Sequence, residues 1–446
     1  MSLDAPAQTT PPITSLDELV AWFRVGEKAA ERHRIGLESE KIGVLAATGE
    51  PASLDRIGRI LAAEASASGG QLLSENGTAI GVQLADHSLA LEPGGQFELS
   101  GTPSSQLSPL AAELHAHLVQ ARRLSEPQGL AWLGVGYRPF GERTAVPWLP
   151  RGRYGLMRRR MPGRFAHDMM QMTASVQVNF DFADEGDLAA KVSCATAVSP
   201  IVSALYANAP LRDNRPTGMK SFRYFLWRDV DSARSGLLRV MFEPGFTYRR
   251  YLDWALAAPL LFVRRQGSYV DPEGRTFRDL LREGFLDAPA TMMDFVDLLS
   301  TLFPEIRVKR VVEVRGADAV NEPLTVALPA LWTGLLYDAA ACAEARQLLN
   351  VSFDQLLAFQ EEVGREALGA RLGSATALDL ARDLLRIAED GLRRRIERGA
   401  GQPADLAMLD PIRAIAATGR TPADEILDIH AASSGDRARI IEALRL

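Results

Sequence analysis

The spacing of apolar residues changes along the chain, and each period predicts an element. Leu16, Leu19, Val20 and Phe23 recur at helical spacing behind Ser15, and Glu18 completes a capping box, so a helix begins at Ser15. Residues 35–45 read as a strand, 53–66 as a helix, and the glycine-punctuated runs 79–84, 87–91 and 96–100 as strands. A helix is expected over 110–124 and extended chain over 130–137. Residues 151–164 hold six arginines and read as a loop or irregular segment. Residues 172–182 are the clearest strand: Ala174, Val176, Val178, Phe180 and Phe182 share one face, and Thr173, Ser175, Gln177, Asn179 and Asp181 the other. Helices are expected over 186–207, 247–257 and 291–302, a strand over 306–315, and helices with no strand from about 325 to the end. Strands with one polar and one apolar face suit an antiparallel sheet open on one side better than a doubly wound parallel sheet. The expected class is α+β, an antiparallel sheet carrying a site, with helices on its back and one end.

Composition narrows the function classes. The 446 residues are 47% hydrophobic and 24% charged, which excludes collagen-like, disordered and disulfide-scaffold chains. No apolar run approaches the ~18 residues of a membrane span; the longest, Trp254 to Val263, is broken by Pro259. The Pro/Thr/Ala-rich residues 1–14 are expected to be flexible and show no secretory pattern. Cys194 and Cys342 are expected to be buried free thiols in a reducing compartment, so a cytoplasmic location is expected. The net charge of -6 disfavours nucleic acid or an anionic membrane as main partner, while leaving room for a basic pocket that takes a small anion.

The candidate chemistry lies on polar strand faces. Phosphate-loop, dinucleotide, nucleophile-elbow and Cys-x-x-Cys signatures are absent, and His115 and His117, two apart in a helix, read as surface residues. Glu38 and Glu40 share one strand face roughly 7 Å apart, where like charges repel unless a cation sits with them. In Glu92-Pro-Gly-Gly-Gln96-Phe-Glu98, Gly94 and Gly95 permit a sharp turn, and Gln96 and Glu98 then line one strand face. Residues 173–181 offer a short polar face without lysine, suited to a wet, ligand-holding interior. Arg307, Lys309, Glu313 and Arg315 share a further strand face, suited either to cross-strand ion pairs or to a metal-binding Glu with an anion-binding Arg. Carboxylates without His or Cys clusters suit Mg²⁺, which accompanies substrate phosphates, and arginines suit carboxylates and phosphoryl groups. The residues therefore point to a Mg²⁺ and nucleotide site in an enzyme that activates a carboxylate or transfers a phosphoryl group.

These segments resemble the plant-type glutamate–cysteine ligases, a family also widespread in bacteria. The resemblance runs from about 35 to 340, through LESEKIGVL (37–45), EPGGQFELSG (92–101), RGRYGLMRRRMP (151–162), DMMQMTASVQVNFDF (168–182), ALYANAP (204–210), GMKSFRYFLW (218–227) and FPEIRVKRVVEVRGAD (303–318). It implies a glutamine-synthetase-like fold whose antiparallel sheet forms an active-site funnel. It also implies that ATP phosphorylates the γ-carboxylate of L-glutamate and that the amino group of L-cysteine displaces phosphate. By resemblance, Glu38, Glu40 and Glu98, with Glu92 and Glu313, are the metal ligands. Arg223 and Arg315 are the catalytic arginines, and Gln96, Gln177, Asn179, Arg153, Arg158 and Arg223 bind substrate or nucleotide. Ser39 stands where the family commonly has His, on the opposite strand face, and Ala174 stands where a plant cysteine is expected, so no disulfide switch of the plant kind is expected. The expected organisation is a catalytic core over 15–340 with a helical part over 341–446, one integrated unit. The expected partners are small molecules only, and the chain a monomer or homodimer. A γ-glutamyl ligase with another amine acceptor and a non-catalytic nucleotide- or glutamate-binding relative are the rival readings.

Overall fold

The structure, a computed structural model, describes residues 11–446. Of the segment expected to be flexible, residues 1–10 lie outside the described residues. Residues 11–14 are tied down: Pro12 bridges Thr291, and the Ile13 amide donates to the Ala290 carbonyl at 2.9 Å. The helix behind them, Leu16–Arg24, starts as expected, with the Glu18 carboxylate accepting from the Ser15 amide at 3.1 Å.

Among the described residues, nine strands form the principal sheet: β1 (Ile35–Leu45), β2 (Gln71–Glu75), β3 (Thr78–Gln83), β4 (Ser88–Leu91), β5 (Phe97–Ser100), β6 (Leu130–Leu133), β7 (Val176–Phe180), β8 (Ile306–Val308) and β9 (Val312–Val314). Their order is β8-β9-β7-β1-β5-β4-β3-β2, with β6 beside the second half of β1, and every pairing is antiparallel. The alternation explains the layering. Leu37, Leu89, Leu91, Phe97, Leu99, Val176, Val178 and Phe180 enter the main core. Helices Leu54–Ser68, Leu107–Ser125, Glu185–Leu205 and Glu322–Leu336 contribute their apolar faces to the same core.

The opposite face of β1 changes character along its length. Glu38 and Glu40 face the site, but Ile42 and Val44, on the same face further on, need cover. They receive it in a second apolar cluster with Leu133, Ile426, Ile440, Ile441 and Leu444, the last four from helices Pro422–Ala432 and Arg437–Leu444. The sheet face is therefore open only where it is polar.

Several expectations need correction. Residues 152–160 form a helix rather than a loop, because Tyr154, Leu156 and Met157 bury one face and Arg158, Arg159 and Arg160 complement the dipole in the last turn. Residues 166–172 are helical, so the strand expected from 172 starts at Val176. The strand expected over 306–315 is the hairpin β8/β9, turning where the Lys309 amide donates to the Val311 carbonyl at 3.0 Å. The C-terminal part contains a small strand pair, 371–372 with 375–376, besides its helices. His117 is buried against Phe97, with ring centroids 5.2 Å apart, whereas His115 is exposed beside Glu322. The helix Glu185–Leu205 is long and apolar enough to cross a membrane by length and composition, yet 83% of its apolar window is buried inside the protein. It carries Cys194, whose thiol meets that of Cys342 on Ala339–Leu348; both are buried and free.

Candidate active site

Strand register assembles the site. On neighbouring strands Glu40 lies opposite Glu98, and Glu38 lies opposite Ser100 on one side and Gln177 on the other. The turn after β4 adds Glu92. Gly95 sits at φ 77°, and a Cβ on Gly94 would lie 2.3 Å from the Gln171 carbonyl oxygen, so both positions demand glycine. Gln96 locks this turn: its Oε1 accepts from the Gly94 amide at 2.8 Å, and its Nε2 donates to the Met170 and Thr173 carbonyls at 3.1 and 2.8 Å. Its amide is thus engaged by the framework, while the residue also lines the cavity.

The result is a three-carboxylate cluster. One carboxylate oxygen from each of Glu40, Glu92 and Glu98 lies within 4.8 Å of the others. Glu40 accepts from the Ser175 amide at 2.7 Å, the Ser175 hydroxyl at 3.1 Å and Gln177 Nε2 at 3.2 Å. Burial and then the Glu98 charge push its carboxyl up to about 7, against the pull of Arg223 and Arg315. Burial, Glu98 and Glu40 push Glu92 well above the carboxylate range. Three crowded oxygen donors, half-buried at Glu40 and Glu92 and buried at Glu98, without nitrogen or sulfur, fit a hard divalent cation, which would replace the shared protons. Glu38 sits beside the trio, accepts from Asn179 Nδ2 at 3.0 Å, and lines both the deep cavity and a wider outer groove of about 960 Å³.

Cations share this cavity. Arg153, Arg223, Arg307, Lys309 and Arg315 line the cavity with the carboxylates. Arg315 Nη1 donates to Gln177 Oε1, so the Gln177 amide bridges Arg315 and Glu40. Arg223 Nη1 and Nη2 donate to the Gly316 and Arg315 carbonyls, each at 2.9 Å. Burial and neighbouring Arg307 push Lys309 down to about 8.

Two expected site residues lie elsewhere. Arg158 is exposed on the far side of its helix, its guanidinium 4.8 Å from the Trp148 ring, whereas Arg153 is buried in the cavity. Glu313 is held in a two-point ion pair by Arg307, with Nη2 to Oε1 at 2.8 Å, and by Arg315 at 3.3 Å. Burial alone would raise its carboxyl, but Arg307, Lys309 and Arg315 outweigh burial and hold it well below the ordinary range. Its oxygens are taken by guanidiniums, so it orders the cationic wall and stands apart from the metal cluster. Arg307 and Lys309, expected on one strand face with Glu313 and Arg315, line the cavity from the β8/β9 hairpin. Trp227 and Phe303, which end and begin the motifs 218–227 and 303–318, also wall the cavity.

The arrangement gathers an oxygen-only carboxylate cluster and a set of positive groups around one cleft, the electrostatics that phosphoryl transfer to a carboxylate requires. The model of glutamate-cysteine ligase family 2 (GCS2) matches residues 34–443. The glutamate–cysteine ligase of Brassica juncea is 37% identical over 430 residues, covering 94% of this chain and 82% of that protein. That of Arabidopsis thaliana is 36% identical over 430 residues, covering 94% and 80%. The fold is shared with glutamate–cysteine ligase from Francisella tularensis, solved in complex with AMP, at a TM-score of 0.55 and 13% identity over 92% of this chain and 87% of that one. It is shared also with a bifunctional glutathione synthetase from Pasteurella multocida, at 0.53 and 12% over 96% and 53%. The plant relatives are chloroplastic enzymes, which overturns the expectation of a cytoplasmic location. Matched over most of its length by the family model and by plant enzymes above one-third identity, the chain belongs to glutamate-cysteine ligase family 2.

Proposed function

We propose that the protein joins the γ-carboxylate of L-glutamate to the amino group of L-cysteine at the expense of ATP, through γ-glutamyl phosphate, giving γ-glutamylcysteine for glutathione synthesis. The observation that carries this reading is the carboxylate trio Glu40, Glu92 and Glu98 sharing one cavity with Arg153, Arg223 and Arg315, in a chain of this family. A carboxylate is a poor acyl donor to an amine, and phosphorylation supplies a leaving group. Mg²⁺ held by Glu40, Glu92 and Glu98, with Glu38 beside them, would neutralise phosphate charge and polarise the transferring phosphoryl group.

The remaining work falls to the chain's own residues. Arg315, anchored on Gln177 and Glu313, presents fixed positive charge next to the trio, where charge spreads over the phosphoryl oxygens. Arg223 holds the main chain that carries Arg315 and adds its own charge. Arg153 faces the same space and is assigned to a substrate carboxylate. Gln177 and Asn179 orient Glu40 and Glu38 and are assigned to phosphate oxygens. We assign the catalytic core to 15–340 and take 341–446 as a helical part integrated with it.

The test gives purified protein ATP, Mg²⁺, glutamate and a panel of amines, with phosphate release and mass-identified products as readouts. A γ-glutamyl product that needs cysteine and vanishes with a chelator is expected. Phosphate release with a different amine would move the reading to another acceptor, and nucleotide binding without turnover would refute catalysis.

A further inference from the structure

Behind the arginine wall lies an enclosed polar cluster that the mechanism leaves unused. The Glu305 carboxylate is buried and accepts from the Ser199 hydroxyl, from Tyr224 Oη at 3.0 and 3.2 Å, and from Gln360 Nε2 at 2.9 Å, with the Ser203 hydroxyl at 3.5 Å. The donors come from three helices: Glu185–Leu205, Phe222–Leu226 and Phe353–Glu366. A core seam could be closed by apolar groups of similar volume at no loss of stability, so a buried charge calls for another reason.

Its position supplies one. The Glu305 carbonyl accepts from the Arg315 amide at 3.0 Å. A Cβ on Gly316 would lie 2.7 Å from Glu305 Oε1 and 2.6 Å from Ser203 Oγ, so the carboxylate presses directly on the Gly316 backbone. Arg223 grips the carbonyls of the same two residues. The main chain of Arg315 and Gly316 is therefore held both by Glu305 and by Arg223, and the side chain of Arg315 leaves this clamp for Gln177, beside Glu40. Arg223 also lies near enough to draw the Glu305 carboxyl down, although burial outweighs it and raises the group above the ordinary carboxylate range.

We propose that Glu305 is a positioning residue that sets the Arg223–Arg315 pair, and that Gln360, by holding Glu305, makes the C-terminal helices a working part of the active site. This rests on the catalytic reading of Arg315 given above. A merely structural cluster would lower stability and leave turnover per folded molecule intact. A positioning cluster lowers kcat while ATP still binds, because Arg315 is displaced only from its transition-state geometry.

The experiment compares full-length Glu305→Gln, which keeps the side-chain shape, Gln360→Met, which deletes one donor, Arg315→Lys, and the double variant Gln360→Met with Arg315→Lys. The readouts are kcat, the KM of ATP and thermal midpoint. Both single changes at the cluster are expected to lower kcat about tenfold, as loss of a hydrogen bond to a charged group allows, with the KM of ATP within about twofold. In the Arg315→Lys background, Gln360→Met should cost little more. Folded variants with kcat within about twofold of wild type, or effects that multiply in the double variant, would overturn the proposal. If Glu305→Gln does not fold, Gln360→Met decides alone. Full activity in Arg315→Lys would overturn the reading underneath, whereas an impaired Arg315→Lys beside fully active Glu305→Gln and Gln360→Met would overturn only the positioning role.

Discussion

Glu40→Gln should move stability and activity in opposite directions. Glu40 is crowded by Glu92 and Glu98, and its carboxyl is raised from an ordinary 4.5 to about 7 by burial and the Glu98 charge. A raised folded-state pKa means stabilisation that is fully present below about 4.5 and is lost as pH rises through about 7. At about 1.4 kcal/mol per pH unit, the ionised carboxylate costs at most about 3 kcal/mol; because Glu40 is only half-buried and shares protons with its neighbours, roughly 1 kcal/mol is the expected penalty. Glutamine never ionises, and its Oε1 keeps the 2.7 Å acceptor position of the Ser175 amide. Metal-free Glu40→Gln should therefore melt roughly 1–2 °C above wild type at pH 8, with the gap closing toward pH 5. Saturating Mg²⁺ should reverse the order, because wild type gains the bound cation and the variant loses a charged ligand. Activity should fall by at least about 100-fold. Calorimetry with and without Mg²⁺ at the two pH values, beside a phosphate-release assay, covers every arm. A variant that keeps a tenth of wild-type kcat/KM, or that melts several degrees lower at pH 8 without metal, would refute the assignment of Glu40 to the cation.

Arginine truncations on one helix should separate cleanly: Arg153→Ala costs at least about 50-fold in kcat/KM through a lost buried charge contact, and exposed Arg158→Ala stays within about twofold. Gly94→Ala should destabilise by about 1–3 kcal/mol in a denaturant melt and lower activity with it, because its Cβ would meet the Gln171 main chain at 2.3 Å and shift the turn between Glu92 and Glu98. Lys41, fully buried behind Glu40 and Glu98, donates to the Ser39 carbonyl at 2.9 Å, and burial pushes it down to about 7 against the pull of those carboxylates. Its lowered pKa makes its contribution one that is present above about 10.5 and lost as pH falls to about 7, so Lys41→Met should raise the melting temperature increasingly from about pH 10 down to pH 7 and by a constant margin below that. An unchanged or lower midpoint at pH 6 would count against that account.

What the sequence determines by itself is whatever steric alternation and local backbone chemistry encode. The two faces of residues 176–182, the shared face of Glu38 and Glu40, and the glycine turn after Glu92 follow from residues within a few positions of one another, and the structure keeps all three, while Ala174, before the strand, joins the second apolar cluster instead. The resemblance to the ligase family is of the same kind, since it rests on contiguous motifs. The tertiary structure decides everything that depends on which partner reaches a side chain first. Gln96 and Glu313 carry the right chemistry for a site, yet distant main-chain carbonyls claim one and Arg307 the other. Arg153 and Arg158 lie on the same helix, but five residues of rotation put one in the cavity and the other in water. Lys41 and Glu305 look like surface charges on a hairpin-rich chain, and only long-range packing buries them beside the functional groups. Periodicity tells which face of an element is polar; it cannot tell which element will cover that face. So the last two helices could cap Ile42 and Val44, and Gln360 could reach Glu305, without any trace in the local pattern.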